Sequence, residues 1–212
     1  MTVTGDVARF AFNRDGSKVA AGCWDGTVFL WSAANGERVG KPMQCGGGVF
    51  NLRFSQDGEY LYVRQHNHVL QVWDVARRRA RGEAIRPPHP IWWAKLSPDG
   101  ARVLMRFGSE ASLWDQKTGR RIGDGMRHEQ EITDTAFSPD GRTTYTASHD
   151  SVVRAWDGLT AAGRKTMTRH LDQVATIAIS PDGKLLASGV SDIVARVTQL
   201  RDGNPVREAL AH

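Results

Sequence analysis

The stretch "TASHDSVVRAWD", residues 146 to 157, sets Ser148, His149 and Asp150 side by side, the three residue types of a hydrolytic triad. A triad works through a serine hydroxyl, an imidazole and a carboxylate hydrogen-bonded in series at roughly 2.6–3.2 Å. Consecutive residues of an extended chain do not meet that geometry, because neighbouring side chains point to opposite faces and His149 turns away from Ser148 and Asp150. His66 and His68, in "QHNHV", have the i, i+2 spacing of two metal ligands on one strand face, but no Asp, Glu or Cys converges on them, and solvent-facing turn residues are the plainer account. "QCGGGVF", with Gly46 to Gly48, lacks the Lys-Ser/Thr of a phosphate loop and precedes a strand rather than a helix. No Gly-x-Ser-x-Gly elbow is present either. These residues define no catalytic site, metal site or cofactor site, so the elements that carry them decide their meaning.

A chain of 212 residues, 40% of them hydrophobic, is long enough for one large all-β domain with a substantial core. Its 22 glycines and 8 prolines recur at intervals and do not gather into a linker, which points to turns. Cys23 and Cys45 are too few for a disulfide framework, which favours a reducing compartment. With no leader-like start and no long apolar run, the chain is expected to be cytoplasmic and away from membranes. The formal net charge of +5 raises nucleic acid as a partner, and its densest basic cluster is Arg77, Arg78, Arg79 and Arg81. Arg120, Arg121, Arg164 and Lys165 fall in the corresponding place of later repeats, where Lys and Arg protect an outer edge strand from pairing with other chains.

The organising feature is a repeat. Asp-Gly pairs at Asp15, Asp57, Asp99, Asp140 and Asp182 are spaced by 42, 42, 41 and 42 residues, and Trp31, Trp73, Trp114 and Trp156, with Thr198 in the fifth place, keep the same phase. Around each Ser-(Pro/Gln)-Asp-Gly turn, as in "TAFSPDGRTTYTAS", two short apolar-alternating runs flank residues suited to a type I turn with a bulge, in which Gly accepts a positive φ. A third run ends in Trp, often Trp-Asp, and a fourth follows a polar turn. Four short strands per unit, repeated five times, is the signature of propeller blades.

Trp73-Asp74, Trp114-Asp115 and Trp156-Asp157, each with an upstream Asp-Gly turn, resemble WD repeats of the bacterial type over nearly the whole chain. The resemblance implies a β-propeller of WD40 type in one domain, residues 1–212, with blades near 1–44, 45–86, 87–127, 128–169 and 170–212. Five blades are fewer than the family usually closes, so an open arc or truncated ring is expected, with end faces prone to self-association. The resemblance also implies a buried tetrad of histidine, serine, aspartate and tryptophan, complete in the fourth unit as His128, Ser148, Asp150 and Trp156. Elsewhere it decays. Cys23 stands at the serine place of the first unit, Asn67 at the aspartate place of the second, and Gly108 there in the third with a displaced His89. The fifth keeps His170 and Asp192 but has Val190 and Thr198 for serine and tryptophan, and His212 stands one period after His170.

In the family, the residue before the tetrad aspartate and those near the start of the first strand face the channel mouth and often touch partners. Carried over, these are Trp24, His66, His149 and Ser191, and Phe50 and Trp92. Large aromatics at such places serve as binding anchors. The resemblance thus implies a non-catalytic scaffold for protein or peptide binding, part of a larger bacterial regulatory protein. A hydrolase using the channel, and an anion or nucleic-acid binder using the arginine rim, are the alternatives.

Overall fold

The computed structural model describes residues 6–55, 57–91, 93–190 and 194–211, with backbone alone at 194 and 207–211. The described residues form five antiparallel sheets of four strands each. The first holds β1 (Val7–Phe12), β2 (Lys18–Cys23), β3 (Thr27–Ser32) and β4 (Met43–Gln44), and the second holds β5 (Val49–Phe54), β6 (Tyr60–Gln65), β7 (Leu70–Asp74) and β8 (Arg79–Ile85). The third holds β9 (Trp93–Leu96), β10 (Arg102–Phe107), β11 (Glu110–Asp115) and β12 (Arg121–Arg127). The fourth holds β13 (Ile132–Phe137), β14 (Thr143–Ser148), β15 (Val152–Asp157) and β16 (Gly163–Arg169), and the fifth holds β17 (Val174–Ile179), β18 (Leu185–Val190), β19 (Val194–Gln199) and β20 (Pro205–Ala211). Within every sheet the strands pair in sequence order.

The repeated turn explains this regularity. In the fourth sheet the Ser138 hydroxyl donates to Asp140 Oδ1 at 2.6 Å and accepts from the Thr143 amide at 2.9 Å, while Asp140 Oδ1 accepts from the Arg142 amide at 3.0 Å. The chain reverses through Gly141 at φ +69°, and Gly16, Gly58, Gly100 and Gly183 take the same left-handed conformation. In the first sheet Asn13 replaces the serine, and its Oδ1 accepts from the Lys18 amide at 2.8 Å.

Contacts divide the chain into two compact units, residues 1–91 with 116–120, and 92–115 with 121–212. The first unit packs Ala20, Val28, Leu30 and Met43 of sheet one on Val49, Leu52, Leu61, Val63, Trp73 and Val75 of sheet two. The second unit has two such interfaces. Leu104, Leu113 and Met126 of sheet three meet Ile132 and Ala161, and Tyr145, Ala147, Val153 and Met167 of sheet four meet Val174, Ile177 and Leu186 of sheet five. Middle strands such as β2, β3 and β14 are buried almost throughout, whereas β8, β12 and β16 are edge strands with mostly exposed residues.

Candidate functional site

The opening triad separates on inspection. His128 Nδ1 lies 2.8 Å from Asp150 Oδ2, and His128 Nε2 lies 2.7 Å from Thr146 Oγ1. The Trp156 indole donates to that same Oγ1 at 2.8 Å. The tetrad hydroxyl therefore belongs to Thr146 and not to Ser148. Ser148 stands two residues later, where its hydroxyl donates to the Gln130 carbonyl at 3.1 Å and accepts from the Asp150 amide at 3.0 Å. Asp150 also accepts from the amides of Glu129 and Val152, so its carboxylate ties two loops to the imidazole.

This network has one consistent proton arrangement. Trp156 donates to Thr146, Thr146 donates to Nε2 of a neutral imidazole, and Nδ1–H donates to Asp150. Burial pushes the His128 imidazole below its usual value against the opposing pull of Asp150. Burial raises the Asp150 carboxyl, but the bonds from His128 and the two amides outweigh it and hold the group below its usual range. The His128 and Asp150 side chains have relative exposures of only 0% and 4%. They are thus structural groups closed to substrate.

The same correction restores a partial network in the fifth sheet, where His170 Nε2 lies 2.9 Å from Ser188 Oγ, one period after Thr146. In the second sheet, Cys45 occupies the histidine place. Its amide donates to the Gly26 carbonyl, as those of His128 and His170 donate to Ser109 and Ser151. Burial pushes the Cys45 thiol up to about 12, tempered only by the nearby Trp73 indole. That indole N–H falls outside full hydrogen-bond geometry and is left a buried donor without a partner among the described residues.

Three of the six expected rim residues come together in the first unit. Trp24, in the β2–β3 turn, is 54% exposed and stacks on His66, in the β6–β7 turn, with ring centroids 4.4 Å apart and planes 21° from parallel. Phe50 meets the same imidazole edge-on at 5.0 Å. Phe50 is aimed there by a β-bulge, since Val49 pairs with Gln65 and Asn51 with Arg64, which leaves Phe50 as the extra residue. The glycine run is part of this build. A Cβ on Gly48 would sit 2.4 Å from the Trp24 carbonyl oxygen, so only glycine lets β5 begin beneath the Trp24 turn.

Two arginines missed in the sequence complete the cluster. The Arg64 guanidinium lies 3.8 Å from the centre of the Phe50 ring, and that of Arg9 lies 5.9 Å from it. The signal for Arg64 was the strand period, which puts residues 62, 64 and 66 on one face. Arg9 joins only through packing of sheet one on sheet two. His149 stands apart in the second unit, half-buried, its amide bonded to the Glu131 carbonyl. Trp92, Ser191, Asp192 and His212 lie outside the described residues. His68 sits in the turn at φ +61°, and no group of three potential metal ligands gathers among the described residues.

The arginine rim is largely engaged. Arg77 pairs with Asp74 at 2.8 Å and Arg164 with Asp157 at 2.6 Å, while Arg121 and Arg127 share Glu110. Arg81 lies over the Tyr60 ring at 4.2 Å.

Comparison with known proteins agrees with the geometry. Residues 2–32, 123–157 and 163–197 match the family described as "WD domain, G-beta repeat", WD40. Three segments of the chain thus match WD40 repeats, and its five four-stranded sheets are consistent with blades of the β-propeller type. It is 27% identical over 137 residues to "Anaphase-promoting complex subunit cdc20" of Dictyostelium discoideum, which covers 62% of this chain and 27% of that protein. It is 26% identical over 144 residues to "WD repeat-containing protein 18" of Rattus norvegicus, covering 63% and 32%. To "WD repeat-containing protein 1" of Xenopus tropicalis it is 28% identical over 160 residues, covering 70% and 26%. The chain thus spans about a quarter to a third of these curated relatives. All three are eukaryotic, so the bacterial character expected from the repeats gains no support.

Proposed function

We propose that this chain is a non-catalytic platform for a protein or peptide, and that Trp24, His66 and Phe50 form its docking face. The observation that carries the reading is the convergence of three aromatic rings from two sheets on a surface where the largest, Trp24, remains more than half exposed. WD-repeat proteins of this kind serve as interaction scaffolds, and one relative is by its name a subunit of a larger complex. The residue types of a hydrolase do not support the rival reading, because His128 and Asp150 are consumed by the tetrad and Ser148 by a backbone carbonyl. The ion pairs of Arg121 and Arg164 on the outer strands, and of Arg77 at the turn into β8, favour edge protection over nucleic-acid binding there. Two unbridged cysteines fit a reducing compartment.

The test is selection of random-sequence displayed peptides on the immobilised chain. Peptides enriched on the wild type are expected to be lost on Trp24→Ala, whose melting curve stays within about 2 °C of the parent, as for a surface change. Equal enrichment on both chains would sink the assignment of the face.

A further inference from the structure

We propose that the face made by Trp24, Arg9 and Arg64 receives an acidic peptide segment, with carboxylates on the two guanidiniums and an apolar side chain on the indole. This rests on the platform reading above and names the partner's chemistry.

Arg121 and Arg164 on the outer strands, and Arg77 in the turn before β8, each hold a carboxylate. Arg9 and Arg64 hold none among the described residues, although both crowd the same Phe50 ring. The guanidinium of Arg9 donates only to the carbonyl of its neighbour Ala8, and that of Arg64 donates to no acceptor among the described residues. Both guanidiniums lie within 5.9 Å of the same ring centre, and burial together with the charge of Arg9 disfavours the charged form of half-buried Arg64, a penalty that a bound carboxylate relieves.

Stacking fixes what kind of anion fits. A guanidinium lying over an aromatic ring keeps its N–H groups in its own plane, directed outward, which is the fork a carboxylate meets with two parallel hydrogen bonds. Phe50 already holds Arg64 in that pose, so little side-chain entropy remains to be lost on binding. The neighbouring charges favour a peptide over a nucleic acid. Asp25 follows Trp24 directly, and the Asp6 carbonyl accepts from the Trp24 amide, so two acidic residues neighbour Trp24 along the backbone. A polynucleotide requires a continuous track of cations for its phosphates. A peptide with its acids confined to one end does not, and its uncharged end can lie toward Trp24, Asp6 and Asp25.

The experiment repeats the peptide selection on wild type, Arg64→Gln, Arg64→Lys and Trp24→Ala, with thermal melts confirming that each variant is folded. The best enriched peptides are then synthesised with Glu and Asp changed to Gln and Asn. Acid-rich peptides are expected, weakened at least about tenfold by Arg64→Gln and by the amide peptides, less by Arg64→Lys, and progressively by salt. Enriched peptides that are neutral or basic, or that ignore Arg64→Gln while still needing Trp24, would overturn the acidic partner and leave the platform standing. No Trp24-dependent enrichment would overturn both. An oligouridylate that binds the same face more tightly than the selected peptides, losing affinity with Arg64→Gln, would also overturn the proposal.

Discussion

The fourth and second sheets place different chemistry at the same four positions. His128, Thr146, Asp150 and Trp156 correspond to Cys45, Val63, Asn67 and Trp73, each pair separated by 83 residues. In the fourth sheet every donor in the chain of bonds from indole to carboxylate has an acceptor. In the second, Val63 is wholly buried in an apolar core, and among the described residues Trp73 Nε1 has no partner and Asn67 Oδ1 reaches only the Val69 amide at 3.3 Å. Apolar packing can hold a blade without the polar network. The contrast extends to the surface, since His66 of the thinned blade has two aromatic neighbours, Trp24 and Phe50, while its counterpart His149 has none among the described residues.

The largest difference is expected at the acid. Asp150→Ala strands a buried imidazole and two amides and should cost about 3 kcal/mol in denaturant unfolding, whereas Asn67→Ala should cost less than about 1 kcal/mol. Equal costs would break the comparison. Next comes the hydroxyl. Thr146→Val keeps the shape but orphans His128 Nε2 and Trp156 Nε1, for a loss of about 2 kcal/mol. The reverse change, Val63→Thr, should cost less than about 1 kcal/mol because the new hydroxyl meets the orphaned Trp73 indole, while Val153→Thr in the apolar core of the fourth sheet should cost about 2 kcal/mol.

A pH titration sharpens the proton assignment. The folded pKa of His128 lies below its ordinary 6.5, so the unfolded chain binds the proton first, and stability falls as pH drops from about 6.5 toward the folded value. The Asp150 carboxyl is also depressed, so its contribution is present above about 3.9 and is lost as pH falls through its folded pKa. Denaturation midpoints should therefore decline in two stages on acidification, and His128→Gln should remove the upper one. A rise in stability between pH 7 and about 5.5 would instead mean a charged imidazole paired with Asp150. The smallest effect concerns the rim. His66→Ala should cost about 1 kcal/mol through its two ring contacts, against less than about 0.5 kcal/mol for His149→Ala.

The period, the turn chemistry and the four-strand unit were legible because they are local. Ser138, Asp140 and Gly141 satisfy one another within a few residues, so their spacing alone dictates a hairpin and its recurrence dictates blades. Trp24, His66 and Phe50 could be singled out because their places in the repeat are also local properties. The tetrad hydroxyl was not legible in this way. Thr146 and Ser148 lie on the same side of β14, and only the depth of the imidazole in the packed blade decides that it meets Thr146. The make-up of the proposed docking face was likewise tertiary. Arg9 and Phe50 are 41 positions apart, and only the packing of sheet one on sheet two brings that charge to that ring, a contact no strand period encodes.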